Sequence, residues 1–262
     1  VKPIRALEAP PPGLGDFVRE TPHERDWRVF KDHQGGQPYR ELLDALIERQ
    51  HGLCCYCEVD LMALDWQVEH FHPKRDHGDG VNHTTDHGNL MAACCGGGRG
   101  DIWGAGNPRE SVRDPLRHRD PTKANLSCGQ AKDHHEEHLT GTAVIDPRVL
   151  PPLALILRVT LDGTMEPDEA ACRTSGIDPL QVKETIRVLG LNCDRLRVAR
   201  EAMLNDLSIS YDDMDIDVLV AAARLTLLPD TSGRIPRFFT TARTFFREAA
   251  ELVLSEHPQA WI

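Results

Sequence analysis

The stretch QVEHFHPK, residues 67–74, sets Glu69, His70 and His72 almost side by side and closes the run with Pro73. A neutral imidazole can take a proton from water, and its ordinary pKa lies near working pH. A carboxylate suits a hard cation such as magnesium or manganese. A base beside such a cation is what phosphodiester hydrolysis requires. The base makes hydroxide, and the cation offsets charge on the scissile phosphate and the leaving oxygen. On a strand, neighbouring side chains take opposite faces, so His70 and His72 share one face and Glu69 takes the other. His72 taken alone reads as an ordinary surface or core histidine.

The second constellation is sulfur. Six of the eight cysteines lie between residues 54 and 128. Cys54 and Cys57 form C-x2-C, a knuckle that presents two thiolates to one ion; Cys94 and Cys128 supply a second, split pair. Four thiolates make a closed tetrahedral zinc site of the structural kind. Cys55 and Cys95 are adjacent spares expected to point away from the ion. Such a site contributes on the order of 10 kcal/mol of folding free energy at neutral pH. It would staple loops that cannot bury themselves. Cys172 and Cys193 stand apart in helical patterns and read as small buried apolar side chains.

These residues need elements to hold them. Residues 1 to about 20, with PPP and two glycines, read as an extended arm that Trp27 and Phe30 anchor. In YRELLDALIERQHG (39–52), Leu42, Leu43, Leu46 and Ile47 fall on one helical face, and Gly52 is placed to end the helix. VDLMALDWQVEHF (59–71) predicts a hairpin in which the strand carrying Glu69 and His70 pairs back to VDLMA. Residues 76–125 read as a long loop region ordered by something other than a core. SCGQAKDHHEEHL (127–139) reads as a short helix. Beyond it, ALILRVTLDGTMEP predicts a hairpin about an Asp-Gly turn. Four helical patterns follow, over 178–191, 193–207, 215–228 and 237–254. Their stripes, Leu180, Val182, Ile186 and Leu189, then Leu196, Ala199, Met203 and Leu207, are core faces, and this half shows no chemistry.

Length and composition set bounds. A chain of 262 residues with a net charge of −11 can build a sizeable core, and its acidity argues against tight unaided binding to nucleic acid. No apolar run approaches the roughly 20 residues of a membrane span, no apolar signal core opens the chain, and a cytoplasmic location is the expectation. HHEEH (134–138) lacks the H-E-x-x-H order of a metallopeptidase, and CCGGGRG lacks the Gly-Lys-Ser/Thr of a phosphate loop. Arg99, Arg109, Arg113, Arg117, Arg119 and Lys123 could touch phosphate or form a solvated face paired with Asp101, Glu110, Asp114 and Asp120.

The order C-x2-C, acid-His, Asn-Leu, then Cys-x3-Lys resembles the HNH nucleases. EHFHPK resembles the strand of that family that carries its acid and histidine, DHGNLMAAC its Asn-Leu segment leading to the third cysteine, and SCGQAK its last cysteine and helix lysine. More narrowly, FK…YRELLDAL…QHGLCCYCE, the split between CCGGGRGDIWG and LSCGQAK, and the later VIDPR, TLDGTMEP and LGLNCDRL resemble the HNH proteins of Septu and retron phage-defence operons, over roughly residues 24–205.

The resemblance implies an α+β fold: a zinc-stapled ββα-metal core with an N-terminal arm and helix, and a mainly helical C-terminal region. The expected divisions are an arm at 1–35, the nuclease domain at 36–147, and a hairpin with helices at 148–262 that docks a partner. It implies zinc on Cys54, Cys57, Cys94 and Cys128, and His70 as general base. It implies Glu69 as ligand to magnesium or manganese, Asn89 as a brace for the strand, and Lys132 near phosphate. The family carries His or Asn just after the fourth cysteine; here stands Gly129, so the second ligand falls one helical turn on, at Asp133, or at His134. The implied activity is DNA cleavage in an anti-phage complex with an ABC or SMC-like ATPase and a retron RNA–DNA element. An interaction module impaired at Gly129, or an RNase or tRNase on the same site, remain alternatives.

Overall fold

The computed structural model describes residues 2–62, 65–74, 82–97, 125–133, 144–151 and 155–261. The basic side chains at 99–123 and the histidines at 134, 135 and 138 lie outside the described residues. The architecture is mixed α+β and mostly helical, with two small two-stranded sheets.

The N-terminal segment forms α1 (Pro12–Glu20) and α2 (Trp27–Asp32) rather than an extended arm. Pro12 opens α1 at a position where its missing N–H costs nothing, and Leu14 and Phe17 give the helix a buried face. Asp26 caps α2 by accepting from Arg28 N, and Phe30 is buried. The expected helix appears as α3 (Gln37–Arg49) with Leu42, Leu43, Leu46 and Ile47 all buried. Gly52, at φ +78°, ends it by returning its N–H to Ile47 O at 2.8 Å.

The strand carrying the acid and histidine, β1 (Trp66–His70), does not pair back to VDLMA. Its antiparallel partner is β2 (Leu90–Cys94), with Glu69 opposite Met91 and His70 opposite Leu90. Among its described residues, VDLMA gives an isolated bridge, Leu53 to Asp60. The reason is burial. Every residue of β2 is buried, so LMAAC shows the continuous apolar run of an interior strand instead of alternation. Gln50, at the end of α3, fastens β2 by donating to Ala92 O at 2.8 Å and accepting from Ala92 N at 2.8 Å. A 3-10 turn at His87–Asn89 leads into β2, and α4 (Cys128–Lys132) lies against it.

The C-terminal half holds β3 (Leu157–Val159) and β4 (Met165–Pro167), the expected hairpin. Helices α5 (Glu169–Ser175), α6 (Pro179–Val188), α7 (Asp194–Tyr211), α8 (Ile216–Leu227), α9 (Phe239–Phe246) and α10 (Glu248–Glu256) follow. The pattern at 237–254 is two helices, because Arg247 takes a left-handed φ of 49° between them. Leu180 stands 72% exposed, while Val182, Ile186 and Leu189 are core. Cys172 and Cys193 are buried, as their helical settings predict.

One apolar cluster joins α1, α3, the cysteine knuckle, β1, β2, β3, α6 and α7, and so runs across residue 147. A second gathers α8, α9 and α10 around Phe239 and Trp261. Glu58, next to the knuckle, is buried and accepts from Thr240 N at 2.7 Å and Thr240 Oγ1 at 2.6 Å, at the start of α9. Among the described residues no helix is long and apolar enough to cross a membrane.

Candidate functional site

The four cysteines expected to bind metal converge. Cys54, Cys57, Cys94 and Cys128 are all buried, with their sulfurs within 4.8 Å of one another. The separations are 3.7 Å for Cys54–Cys128, 3.6 Å for Cys57–Cys94 and 3.7 Å for Cys94–Cys128. A tetrahedron with Zn–S bonds of about 2.3 Å has edges of about 3.8 Å, so the cluster has the size of a zinc tetrathiolate. Cys55 and Cys95 stand outside it. Four thiols this close cannot all ionise unaided. Burial works against a thiolate at Cys54, yet hydrogen bonds from Cys128 and its other neighbours hold its pKa well below the usual thiol value. Burial, with those same neighbours, pushes Cys128 well above it. A divalent ion is what would let all four act as thiolates together.

Much of the scaffold for Cys128 comes from the half that shows no chemistry in sequence. Cys128 N donates to Leu189 O at 2.8 Å, just beyond α6. Arg195 of α7 donates to Asn125 O at 3.1 Å and to the Ser127 hydroxyl. These contacts strap residues 125–128 in place and hold Cys128 at its left-handed φ of 56°.

The carboxylate and the imidazole leave β1 on opposite faces. Glu69, 6% exposed, points toward α4. Its carboxylate pairs with the Lys132 ammonium and accepts from Tyr56 OH at 3.2 Å. Burial, then the charge of Glu69, push the Tyr56 pKa well up, so the phenol stays a donor. Lys132, 3% exposed, also donates to His70 O at 2.8 Å and Phe71 O at 3.3 Å. All three donors of the ammonium are therefore spent inside the protein, not held out toward a phosphate. Asp133 is exposed at the end of α4, and the four cysteines are the one group of three or more ligands with metal spacing among the described residues.

His70, on the other face, is 9% exposed. Its Nε2 lies 3.0 Å from Thr84 O, and Trp27 meets the ring edge to face at a centroid distance of 4.5 Å. A carbonyl can only accept, so Nε2 carries the proton and Nδ1 keeps the lone pair. Nδ1 has no hydrogen bond among the described residues. Burial first, then the charges of Lys74 and Lys132, push the His70 pKa down to about 3, so the ring is neutral. Asn89, buried, clamps the end of β1 by accepting from His72 N at 2.7 Å and donating to His72 O at 3.0 Å. It also donates to His83 O at 2.8 Å. Arg148, within VIDPR, lies over the Phe71 ring at 5.2 Å, pairs with Asp146 and donates to Gly88 O. The His72 ring lies 5.3 Å from that of His83.

No family model matches the chain. A protein of Escherichia coli named "Retron Ec83 putative HNH endonuclease" is 30% identical to it over 249 residues, covering 88% of each chain. The chain belongs to the HNH family of retron-associated defence systems.

Within this HNH protein the departure at Gly129 acquires a physical reason. A Cβ on residue 129 would lie 2.3 Å from Glu69 Oε2 and 3.1 Å from its carboxyl carbon. The carboxylate of Glu69 fills the space that a side chain at 129 would take. Alanine is favoured over glycine in a helix by about 1 kcal/mol, yet Gly129→Ala is expected to destabilise this protein by about 1–3 kcal/mol through overpacking, because Tyr56 and Lys132 hold the carboxylate where it is. Urea unfolding reads the sign; a stabilised variant would mean that Glu69 swings aside freely.

Proposed function

We propose that this HNH protein is a metal-dependent endonuclease that hydrolyses DNA phosphodiesters as the effector of a bacterial anti-phage system. β1, β2 and α4 would be its ββα-metal core, stapled by zinc on Cys54, Cys57, Cys94 and Cys128. The observation that carries the reading is the geometry of His70: its Nε2 proton is committed to Thr84 O, which leaves the Nδ1 lone pair to accept a proton from water. As that proton moves to Nδ1, the water oxygen bonds to phosphorus and the P–O bond to the leaving oxygen breaks. Asn89 keeps the strand end at a fixed angle to the loop that supplies Thr84 O. Glu69 would hold a magnesium or manganese ion, with Asp133 as a second ligand, and such an ion would offset charge on the phosphate and the leaving oxygen. The carboxylate leaves β1 on the face opposite the imidazole, so ion and base would have to meet the phosphate from the two sides of the strand end. The test is cleavage of plasmid DNA with magnesium or manganese by the protein and its His70→Ala variant, with an RNA substrate alongside. Preference for RNA would replace DNA as the substrate on the same site.

One observation favours a second reading, an interaction module with impaired catalysis. Glu69 Oε1 already has an ammonium and a phenol on it, so a cation at this carboxylate would have to sit on Oε2 beside the positive charge of Lys132. The same His70→Ala comparison separates the two, since a module without catalysis shows no difference between the proteins.

The system-level part of the reading is an ATPase partner of the ABC or SMC-like type, with a retron RNA–DNA element. It is supported by membership of a retron-associated family. The tagged protein expressed from its native locus should co-purify with an ATPase, and its recovery alone would refute the partnership. Truncating the helical half is no substitute, because Leu189 and Arg195 hold the segment that carries Cys128.

A further inference from the structure

A cleft of about 650 Å³ opens beside the base, lined by Glu24, Arg25, Asp26, Trp27, Arg28 and Lys74. It is one side chain away from His70, because Trp27 forms part of the lining and also packs edge to face on the imidazole. Thr84 joins the cleft to the base as well. Its carbonyl takes His70 Nε2, and its single hydroxyl proton is within reach of Arg25 O at 3.3 Å and Lys74 O at 3.5 Å, both residues of the lining. Asn82 adds a bond to Glu24 O at 2.9 Å. The lining is thus tied to the turn that orients the histidine.

The charges in the cleft are not equivalent. Arg28 is spent on Asp26, at 3.2 Å, and the same carboxylate caps α2 through Arg28 N at 2.9 Å. Lys74 is exposed, and among the described residues its ammonium has no hydrogen bond or ion pair. Its charge is felt at Asp26 and at His70 without a direct contact to either. The cleft therefore offers one uncommitted cation, an indole wall and a guanidinium at Arg25, within one side chain of a proton acceptor. An ammonium that pairs with a backbone phosphate, beside an aromatic surface, is the chemistry of a nucleotide subsite.

We propose that this cleft seats the nucleotide next to the scissile bond, with Lys74 on its phosphate. The proposal rests on the endonuclease reading and deepens it. It also supplies a role for the last residue of QVEHFHPK, and it places the substrate strand against the N-terminal segment 24–28, away from the zinc cluster.

The test is binding of a fluorescent 20-mer duplex DNA, without added magnesium or manganese, by the full-length, zinc-loaded His70→Ala protein, with and without Lys74→Ala or Lys74→Arg. Loss of one phosphate contact lowers the slope of log K against log salt by about 1. Lys74→Ala should weaken binding roughly threefold to tenfold with that change in slope, and Lys74→Arg should keep both. In the cleaving protein, Lys74→Ala should raise KM. Equal affinity and equal slope for His70→Ala with and without Lys74→Ala, including no measurable binding by either, overturns the subsite while leaving the endonuclease intact. Cleavage that survives His70→Ala overturns the endonuclease reading itself, whatever Lys74 does.

Discussion

Purified protein is expected to carry one zinc ion per chain, and Cys128→Ser is expected to lose most of it together with the cooperative unfolding transition. The magnitude follows from the position of the site. A zinc tetrathiolate contributes on the order of 10 kcal/mol, and a domain has about 5–15 kcal/mol of stability in all. Little is left to hold residues 125–133 without it. Cys128 sits at a left-handed φ that a side chain adopts reluctantly, fixed by Leu189 O behind it and three sulfurs in front. Release of its sulfur frees the start of α4, and with it Lys132 and the hydrogen bonds that Lys132 makes to the end of β1. The effect should therefore reach the imidazole as well as the fold. Elemental analysis with a thermal melt measures it. Cys55→Ser and Cys95→Ser are the controls, since neither sulfur belongs to the cluster and both variants should keep their zinc. A Cys128→Ser protein that retains one zinc and an unchanged melt would refute the assignment.

The sequence made the cysteine set legible because C-x2-C is the spacing of a metal knuckle and the other two ligands lie in the same cysteine-rich stretch. Helix α3 was legible because Leu42, Leu43, Leu46 and Ile47 repeat with the helical period. β2 was not. Its five residues are buried on both faces, so no alternation marks them, and a surrounding of Asn, Gly and His reads as loop. That concealment misdirected the pairing of β1. The break between α9 and α10 carries no glycine or proline, and nothing in TFFREAA announces the left-handed Arg247. At the site, Glu69, His70 and Asn89 announce themselves by residue type. Thr84 does not, since it orients the base through a main-chain carbonyl that any residue could supply. Leu189 holds Cys128 in the same way. Trp27 and Tyr56 were visible as residues, but their contacts with His70 and Glu69 depend on tertiary packing that one sequence cannot display.

His70→Ala is expected to lower DNA cleavage by about 10²–10⁴-fold, the range a general base supplies, while zinc content stays at one per chain. The two readouts separate because the imidazole lies on the face of β1 away from the Glu69 carboxylate, and because its partners, Thr84 O and Trp27, belong to other elements than the cysteine cluster. Asn89→Ala should be intermediate. It removes the clamp on residues 72 and 83 but leaves Nδ1 in place, so the ring loses its fixed angle without losing its lone pair. The order His70→Ala below Asn89→Ala below the parent, at equal zinc content, is the signature of a base held by a brace. The reverse order would mean that Asn89 touches the reacting atoms and His70 merely packs. Cleavage at the parental rate by His70→Ala would remove the imidazole from the chemistry altogether. The buried Nε2 bond to Thr84 O would then be a way of satisfying a core histidine and nothing more.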